Sequence, residues 1–295
     1  MDLIISNVSK TYSNGVRALN NVSLNIPKGM FGLLGPNGAG KSSLMRTIAT
    51  LQDADSGSIQ FGYINVFEQK DDLRKRLGYL PQEFGLYPNL SAETILDHFA
   101  MLKGVTANKQ RSEIVKYLLE QTNLYDVRKK NVGGFSGGMK QRLGIAIALV
   151  GEPELVIVDE PTAGLDPTER NRFLNLLGEI GENVVVILST HIVEDVRELC
   201  NGMAIINKGE VLLSGKPEEV ISDIRGKVWR KTVEKSALAR YEAEFQVISK
   251  RPFAGKPVIH VFSSTEPQES GFSQVDVSLE DVYFRQIALT EKKAA

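Results

Sequence analysis

The segment "GPNGAGKSS", Gly35–Pro36–Asn37–Gly38–Ala39–Gly40–Lys41–Ser42–Ser43, has the residue types and spacing to hold phosphate. Its first eight residues fit G-x-x-x-x-G-K-[ST]. Glycines let backbone N–H groups converge on phosphate oxygens, and a helix opening at the same point adds its dipole. Lys41 has the reach for β- and γ-phosphates, and the Ser42 hydroxyl is placed to hold Mg²⁺. The apolar run "GMFGLLG" before the loop and the helical "SSLMRTIATL" after it supply the strand-then-helix context. Without that context the same glycines would read as a tight turn.

Acids and a histidine close two other apolar runs. "LVIVDEP", Leu155 to Pro161, ends in Asp159 and Glu160. Carboxylates at the C-terminal end of a strand stand in the crevice where open α/β sheets bind ligands. Asp159 is the expected Mg²⁺-side acid, and Glu160 can orient or polarise an attacking water. "ILSTHIVED" ends at the same edge in His191, where a side-chain donor can meet a γ-phosphate. A single histidine is more often structural, which is the reading for His98 and His260. Gln82, in "LGYLPQEFGLYPNLSAET", carries a neutral amide that can ligate Mg²⁺ or position water; by itself it reads as an exposed loop residue. Asp166 precedes Pro167, with Glu169 three residues on, which is a helix N-cap pattern. Tyr12 can stack on a base or simply pack.

One stretch stands apart. "GGFSGGMKQR", Gly133 to Arg142, places Ser136, Gly137 and Gly138 before the apolar "LGIAIALV". That is a second helix start able to bind an anion, but with no lysine among its glycines. One economical explanation is that it completes the phosphate site of another molecule, two chains burying two nucleotides head to tail.

These residues need a rigid frame. Continuous apolar runs at Gly29–Gly35, Leu155–Asp159 and Val184–Leu188, followed by "GMAIINKG" and "EVLLSG", read as a parallel sheet buried on both faces. The opening "LIISNVSKTYSNGVRALNNVSLNIPKG" alternates and turns at Asn14–Gly15, which reads as antiparallel strands. From Ser91 to Val150 the pattern is helical, with Ser91 as a cap and Gly104 as a stop. After Lys216 short strands and a terminal amphipathic helix "SLEDVYFRQIAL" read as a small α+β unit.

The bulk numbers fit. The 295 residues are 42% hydrophobic, enough for one large domain and a small one. A net charge of −1 argues against bulk electrostatic binding to nucleic acid. The single cysteine, Cys200, excludes an intrachain disulfide and reads as a small buried hydrophobe. The N-terminus is not that of a signal peptide, and every apolar run is far below a membrane span, so a soluble chain is expected whose membrane link comes through a partner.

Taken in order, Tyr12, "GPNGAGKS", Gln82, "FSGGMKQR", "LVIVDEP", "AGLD" and His191 resemble the ATP-binding subunit of an ABC transporter over residues 1–220. "FSGGM" is similar to the family signature LSGGQ, with Phe135 for Leu and Met139 for Gln. Met139 cannot make the hydrogen bonds of an amide, so no role passes to its side chain. The resemblance implies a RecA-like α/β P-loop core with an antiparallel β-subdomain and a helical subdomain at about 86–150. It implies an ATP-binding domain over 1–215, and the small α+β unit over 216–295 is then an accessory C-terminal domain. It also implies an active ATPase using ATP and Mg²⁺, in a homodimer or a pseudo-symmetric dimer with a related ATPase. Residue by residue, Tyr12 matches the adenine-stacking aromatic, Gly35 to Ser43 the Walker A loop and Gln82 the Q-loop glutamine. Asp159 matches the Walker B aspartate, Glu160 the catalytic glutamate and His191 the switch histidine. Ser136 and Gly138 match residues that bind the partner's γ-phosphate, and Asp166 the D-loop aspartate at the dimer interface. "EFGLYPNLSAETILDHFAMLKG" and "VSLEDVYF" look like bacterial exporter ATPases with separate integral membrane permease subunits, peripheral at the cytoplasmic face of the membrane. A permease-free relative acting on ribosomes or DNA is the alternative; one domain and no coiled-coil insert argue against it.

Overall fold

The structure, a computed structural model, describes residues 1–162 and 164–294, the last four by backbone alone. It divides into two units, Met1–Val211 and Leu212–Ala295.

The first unit opens with β1 (Leu3–Thr11) and β2 (Arg17–Ile26), paired antiparallel. Their alternating residues Leu3, Ile5, Val22 and Leu24 are buried, as a sheet with one covered face requires. Between them Gly15 takes φ +83°, and Asn14 Oδ1 accepts from Val16 N at 3.1 Å. Next come β3 (Gly29–Leu34), α1 (Lys41–Ile48), β4 (Ser56–Phe61) and β5 (Ile64–Asn65). The antiparallel sheet runs β2-β1-β4-β5.

After α2 (Lys70–Arg76) and β6 (Leu77–Leu80) the chain makes three longer helices, α3 (Ala92–Leu102), α4 (Asn108–Gln121) and α5 (Gly137–Leu149). They enclose an apolar core of their own that includes Leu96, Leu119, Phe135 and Leu143. Ser91 caps α3 by accepting from Thr94 N at 3.2 Å. Then follow β7 (Leu155–Asp159), α6 (Pro167–Gly181), β8 (Val185–Thr190), α7 (Val193–Leu199), β9 (Gly202–Asn207) and β10 (Glu210–Gly215).

The main sheet runs β10-β9-β3-β8-β7-β6, and β3, β6, β7, β8 and β9 are parallel. Every residue of β3, β7 and β8 is buried, which explains their apolar runs up to the polar strand ends at Asp159, Ser189 and Thr190. The parallel strands put Leu34, Asp159 and Thr190 at one sheet edge. β10 departs from the parallel reading. Only Lys208 and Gly209 separate it from β9, at φ +49° and +78°, and a two-residue turn of that kind joins antiparallel neighbours. One core joins Ile5, Ile59 and Phe61 to Met45 and Ile48 of α1 and to Ile157 and Ile187. Each such side chain contributes roughly 1.5–3 kcal/mol by burial, so α1 is held firmly at the edge where the phosphate loop ends.

The second unit contains α8 (Pro217–Ser222), β11 (Val228–Thr232), α9 (Leu238–Glu244), β12 (Gln246–Phe253), β13 (Lys256–Phe262), β14 (Ser273–Gln274) and α10 (Leu279–Ala294). Its antiparallel sheet runs β12-β13-β11-β14. The sequence reading lacked α8 and α9, which are too short to display helical periodicity. Tyr241, Phe245 and Phe272 form an aromatic cluster there, and His260 Nδ1 lies 2.7 Å from Asp281 Oδ1. Cys200, in the first unit, is buried, which pushes its thiol up to about 12.

Candidate active site

The loop from Gly35 to Gly40 turns β3 into α1. Gly40 sits at φ +109°, and a Cβ there would stand 2.5 Å from the Ala18 carbonyl oxygen, so only glycine fits. No side chain caps α1 and no acid lies in its first turn. Its free N–H groups and the positive end of its dipole are therefore left to an anion. The loop lines a cavity of 420 Å³ together with Tyr12, Arg17, Gln82 and Glu160.

Lys41 is 4% exposed and folds back over the loop. Its ammonium donates to Gly35 O at 2.7 Å and Pro36 O at 3.2 Å and lies 3.4 Å from Glu160 Oε1. The other Glu160 oxygen lies 3.3 Å from His191 Nδ1. Glu160 thus links the lysine of the loop to the histidine beyond β8. Its backbone is at φ +46°, a left-handed conformation that a non-glycine residue adopts at a cost, and its N–H donates to Ser189 O at 3.0 Å.

Asp159 ends β7, is 3% exposed, and leaves Oδ1 without a hydrogen bond. Burial pushes its carboxyl up from the ordinary value. The Ser42 and Ser189 hydroxyls and the Lys41 charge oppose that rise, while the Glu160 charge adds to it. A buried carboxylate oxygen lacking a partner, beside a serine hydroxyl, fits a small hard cation that takes its other ligands from phosphate and water. No cluster of three or more His, Cys, Asp or Glu residues suited to a metal occurs among the described residues.

Gln82 lies two residues past β6 and lines two cavities. One is the phosphate-loop cavity. The other, of 360 Å³, is bounded by Phe84, Leu86, Pro88, Val132 and Lys140. Gln82 thus stands at the wall of both. Tyr12 is half-buried; its hydroxyl lies 3.0 Å from Ser43 Oγ and donates to Gln52 Oε1 at 3.1 Å, which fixes the ring at the cavity wall.

Ser136 is the N-cap of α5, its hydroxyl accepting from Met139 N at 3.2 Å. Gly137 has open space where a Cβ would be, whereas a Cβ on Gly138 would stand 2.4 Å from Glu169 Oε2. Phe135 is buried and Met139 packs on the helical core, so the two departures from the signature pattern serve packing. The start of α5 is absent from the residues lining the phosphate-loop cavity. Asp166 caps α6, accepting from Thr168 N at 3.0 Å and Glu169 N at 2.9 Å.

Sequence reasoning missed the ion pair of Arg142 with Glu169, which fastens α5 to α6. An arginine ahead of the apolar "LGIAIALV" was the available signal, because a buried cation needs a partner. It also missed Ser189, a fully buried hydroxyl beside Asp159.

The family described as "ABC transporter" matches residues 19–163. The linearmycin resistance ATP-binding protein LnrL of Bacillus subtilis (strain 168) is 36% identical over 75% of this chain and 71% of its own length. The uncharacterized ABC transporter ATP-binding protein YxlF of the same organism is 32% identical over 96% of this chain and 98% of its own. Among solved structures, the dimeric ATP-binding cassette MJ0796 in a post-hydrolysis state, bound to ADP and Pi, superposes with a TM-score of 0.67. It is 28% identical, and the match spans 72% of this chain and 98% of that one. The chain is accordingly a member of the ABC transporter ATP-binding family, an ATPase that binds ATP on a RecA-like P-loop core.

Proposed function

We propose that this ATPase powers a separate membrane permease, in the outward direction, from a dimer in which each ATP is held between the phosphate loop of one chain and the α5 start of the other. The observation that carries this reading is the pair of helix starts. One has Lys41 directly after its glycines and lines the phosphate-loop cavity; the other, at Ser136, Gly137 and Gly138, has no lysine among its glycines and does not line that cavity. Export accords with the relatives named for linearmycin resistance and multidrug transport, although a methionine import ATP-binding protein is 37% identical as well. The ATP-binding domain is residues 1–215, and residues 216–295 are an accessory domain. Among the described residues no helix is long and apolar enough to cross a membrane, and attachment to the cytoplasmic face runs through the permease.

In this mechanism the Gly35–Ser43 loop and α1 bind the phosphates, and Lys41 leaves the Gly35 carbonyl for the β- and γ-oxygens. Tyr12 supports the adenine. Ser42, Asp159 and Gln82 would hold Mg²⁺, which when bound neutralises charge on the phosphates. Glu160 orients the attacking water and draws on its proton, and His191 donates toward the γ-phosphate. Asp166 lies at the dimer interface. Gln82 carries the state of the site to the neighbouring cavity, where the permease docks. ATP does work because it binds the closed dimer better than the open chains.

With Mg-ATP, Glu160→Gln should shift the protein to dimer mass on sizing while hydrolysing ATP about 10²–10⁴-fold more slowly. Near-normal turnover would refute the role of Glu160. A tagged chain drawn from solubilised membranes should retain a permease; its recovery without any membrane protein would refute the coupling.

A further inference from the structure

Asp195 is 0% exposed, carries a carboxylate, and lies outside the machinery described above. Its Oδ1 accepts from Arg170 Nε at 2.9 Å and from a second nitrogen of the same guanidinium. Its Oδ2 accepts from Thr162 Oγ1 at 3.0 Å and lies 3.5 Å from Thr190 Oγ1. Thr190 Oγ1 in turn accepts from Ile192 N at 2.9 Å. The partners come from three segments. Thr162 is two residues past Glu160, Thr190 is one before His191, and Arg170 is one helical turn past Asp166.

We infer that Asp195 is the positioning residue for His191, clamping the backbone that carries it against the turns that carry Glu160 and Asp166. His191 needs such a clamp. Its side chain is 52% exposed, so packing does not hold it. The direction of its ring toward Glu160 depends on the Thr190–Ile192 backbone, and the Thr190 hydroxyl that holds the Ile192 N–H ends on the Asp195 carboxylate. Thr190 and Thr162 are buried, so their hydroxyls need the carboxylate as much as it needs them. A buried ion pair is a poor source of net stability compared with apolar packing, whereas it fixes geometry tightly. Asp195 occupies the third position of α7, where an acid can cap its own helix. Thr190 has taken the Ile192 N–H instead, which leaves the carboxylate to reach across to α6.

This inference rests on the role proposed above for His191. The test is a double-mutant cycle with Asp195→Asn and His191→Ala, reading kcat and KM for Mg-ATP and nucleotide affinity. Asp195→Asn should lower kcat about tenfold or more with KM within about threefold, and in the His191→Ala background it should cost less than about twofold. Equal factors in both backgrounds, or an unchanged kcat, would overturn the inference while leaving His191 its role. An unchanged rate in His191→Ala alone would overturn that role and the inference together. If Asp195→Asn does not fold, Asp195→Asn combined with Arg170→Gln, which removes both charges, takes its place in the cycle with the same expected outcomes.

Discussion

Glu160 and His191 face each other just past the ends of adjacent parallel strands, Glu160 Oε2 3.3 Å from His191 Nδ1. The contact depends on an unusual backbone, because Glu160 is held at φ +46° by the bond from its N–H to Ser189 O. Glycine adopts that conformation freely, whereas a residue with a Cβ gives up about 1 kcal/mol to it. Glu160→Gly should therefore be more stable than Glu160→Ala by about 1 kcal/mol in denaturant unfolding, both being inactive. Since both lose the carboxylate, equal stabilities would show that the turn carries no strain.

Asp159 gives a pH signature. Burial raises its pKa in the folded chain above the unfolded value. A carboxyl shifted that way costs stability in full at pH above its folded pKa, and the cost disappears as pH falls from the folded pKa to the unfolded one. Asp159→Asn should thus melt higher than the parent chain near neutral pH without Mg²⁺, the gap closing on acidification through the carboxylate range. Mg-ATP should raise the melting temperature of the parent chain and not of the variant. A variant that melts lower at neutral pH would contradict the burial account.

Gly137 and Gly138 should separate fold from assembly. Gly138→Ala drives a methyl into the Glu169 carboxylate and disturbs its pair with Arg142. It should destabilise the isolated chain by about 1–3 kcal/mol. Gly137→Ala meets open space and should leave the chain as stable or up to about 1 kcal/mol more so. On the shared-site reading it nonetheless impairs ATP-driven dimerisation. Thermal melts and sizing of both variants check the pair.

Tyr12 is held by Ser43 and Gln52 through its hydroxyl, while the ring faces the cavity. If the ring supports adenine, Tyr12→Ala should weaken ATP binding about tenfold, in line with 1–3 kcal/mol for a base–aromatic stack. Tyr12→Phe should lose much less. A Phe variant as weak as the Ala variant, by titration with a fluorescent nucleotide, would assign the effect to the hydroxyl network instead.

What the sequence discloses is what is local. The glycines of the phosphate loop, the strand-end position of Asp159 and the cap at Asp166 each need only a few neighbouring residues to be read. Long-range facts are silent there. The left-handed turn at Glu160 is held by Ser189 from another strand. Glu169 looks like the third residue of a capping pattern, yet it pairs with Arg142 and Arg172. The reversal before β10 is hidden in the sequence because its apolar run resembles those of the parallel strands, and the two left-handed residues at Lys208 and Gly209 distinguish it.

On the shared-site reading the Ser136–Gly138 helix start serves the ATP of a second chain, and a mixture of two inactive variants distinguishes this from a self-contained site. Lys41→Ala removes the lysine of the phosphate loop, and Gly137→Asp places a carboxylate, where its own chain has room, against the partner's phosphate. Each alone should hydrolyse almost no ATP. A mixed dimer contains one intact composite site, so an equimolar mixture should recover toward about one quarter of the parent rate, half the dimers being mixed and each having one of two sites. A mixture no more active than the sum of its parts would contradict the shared site.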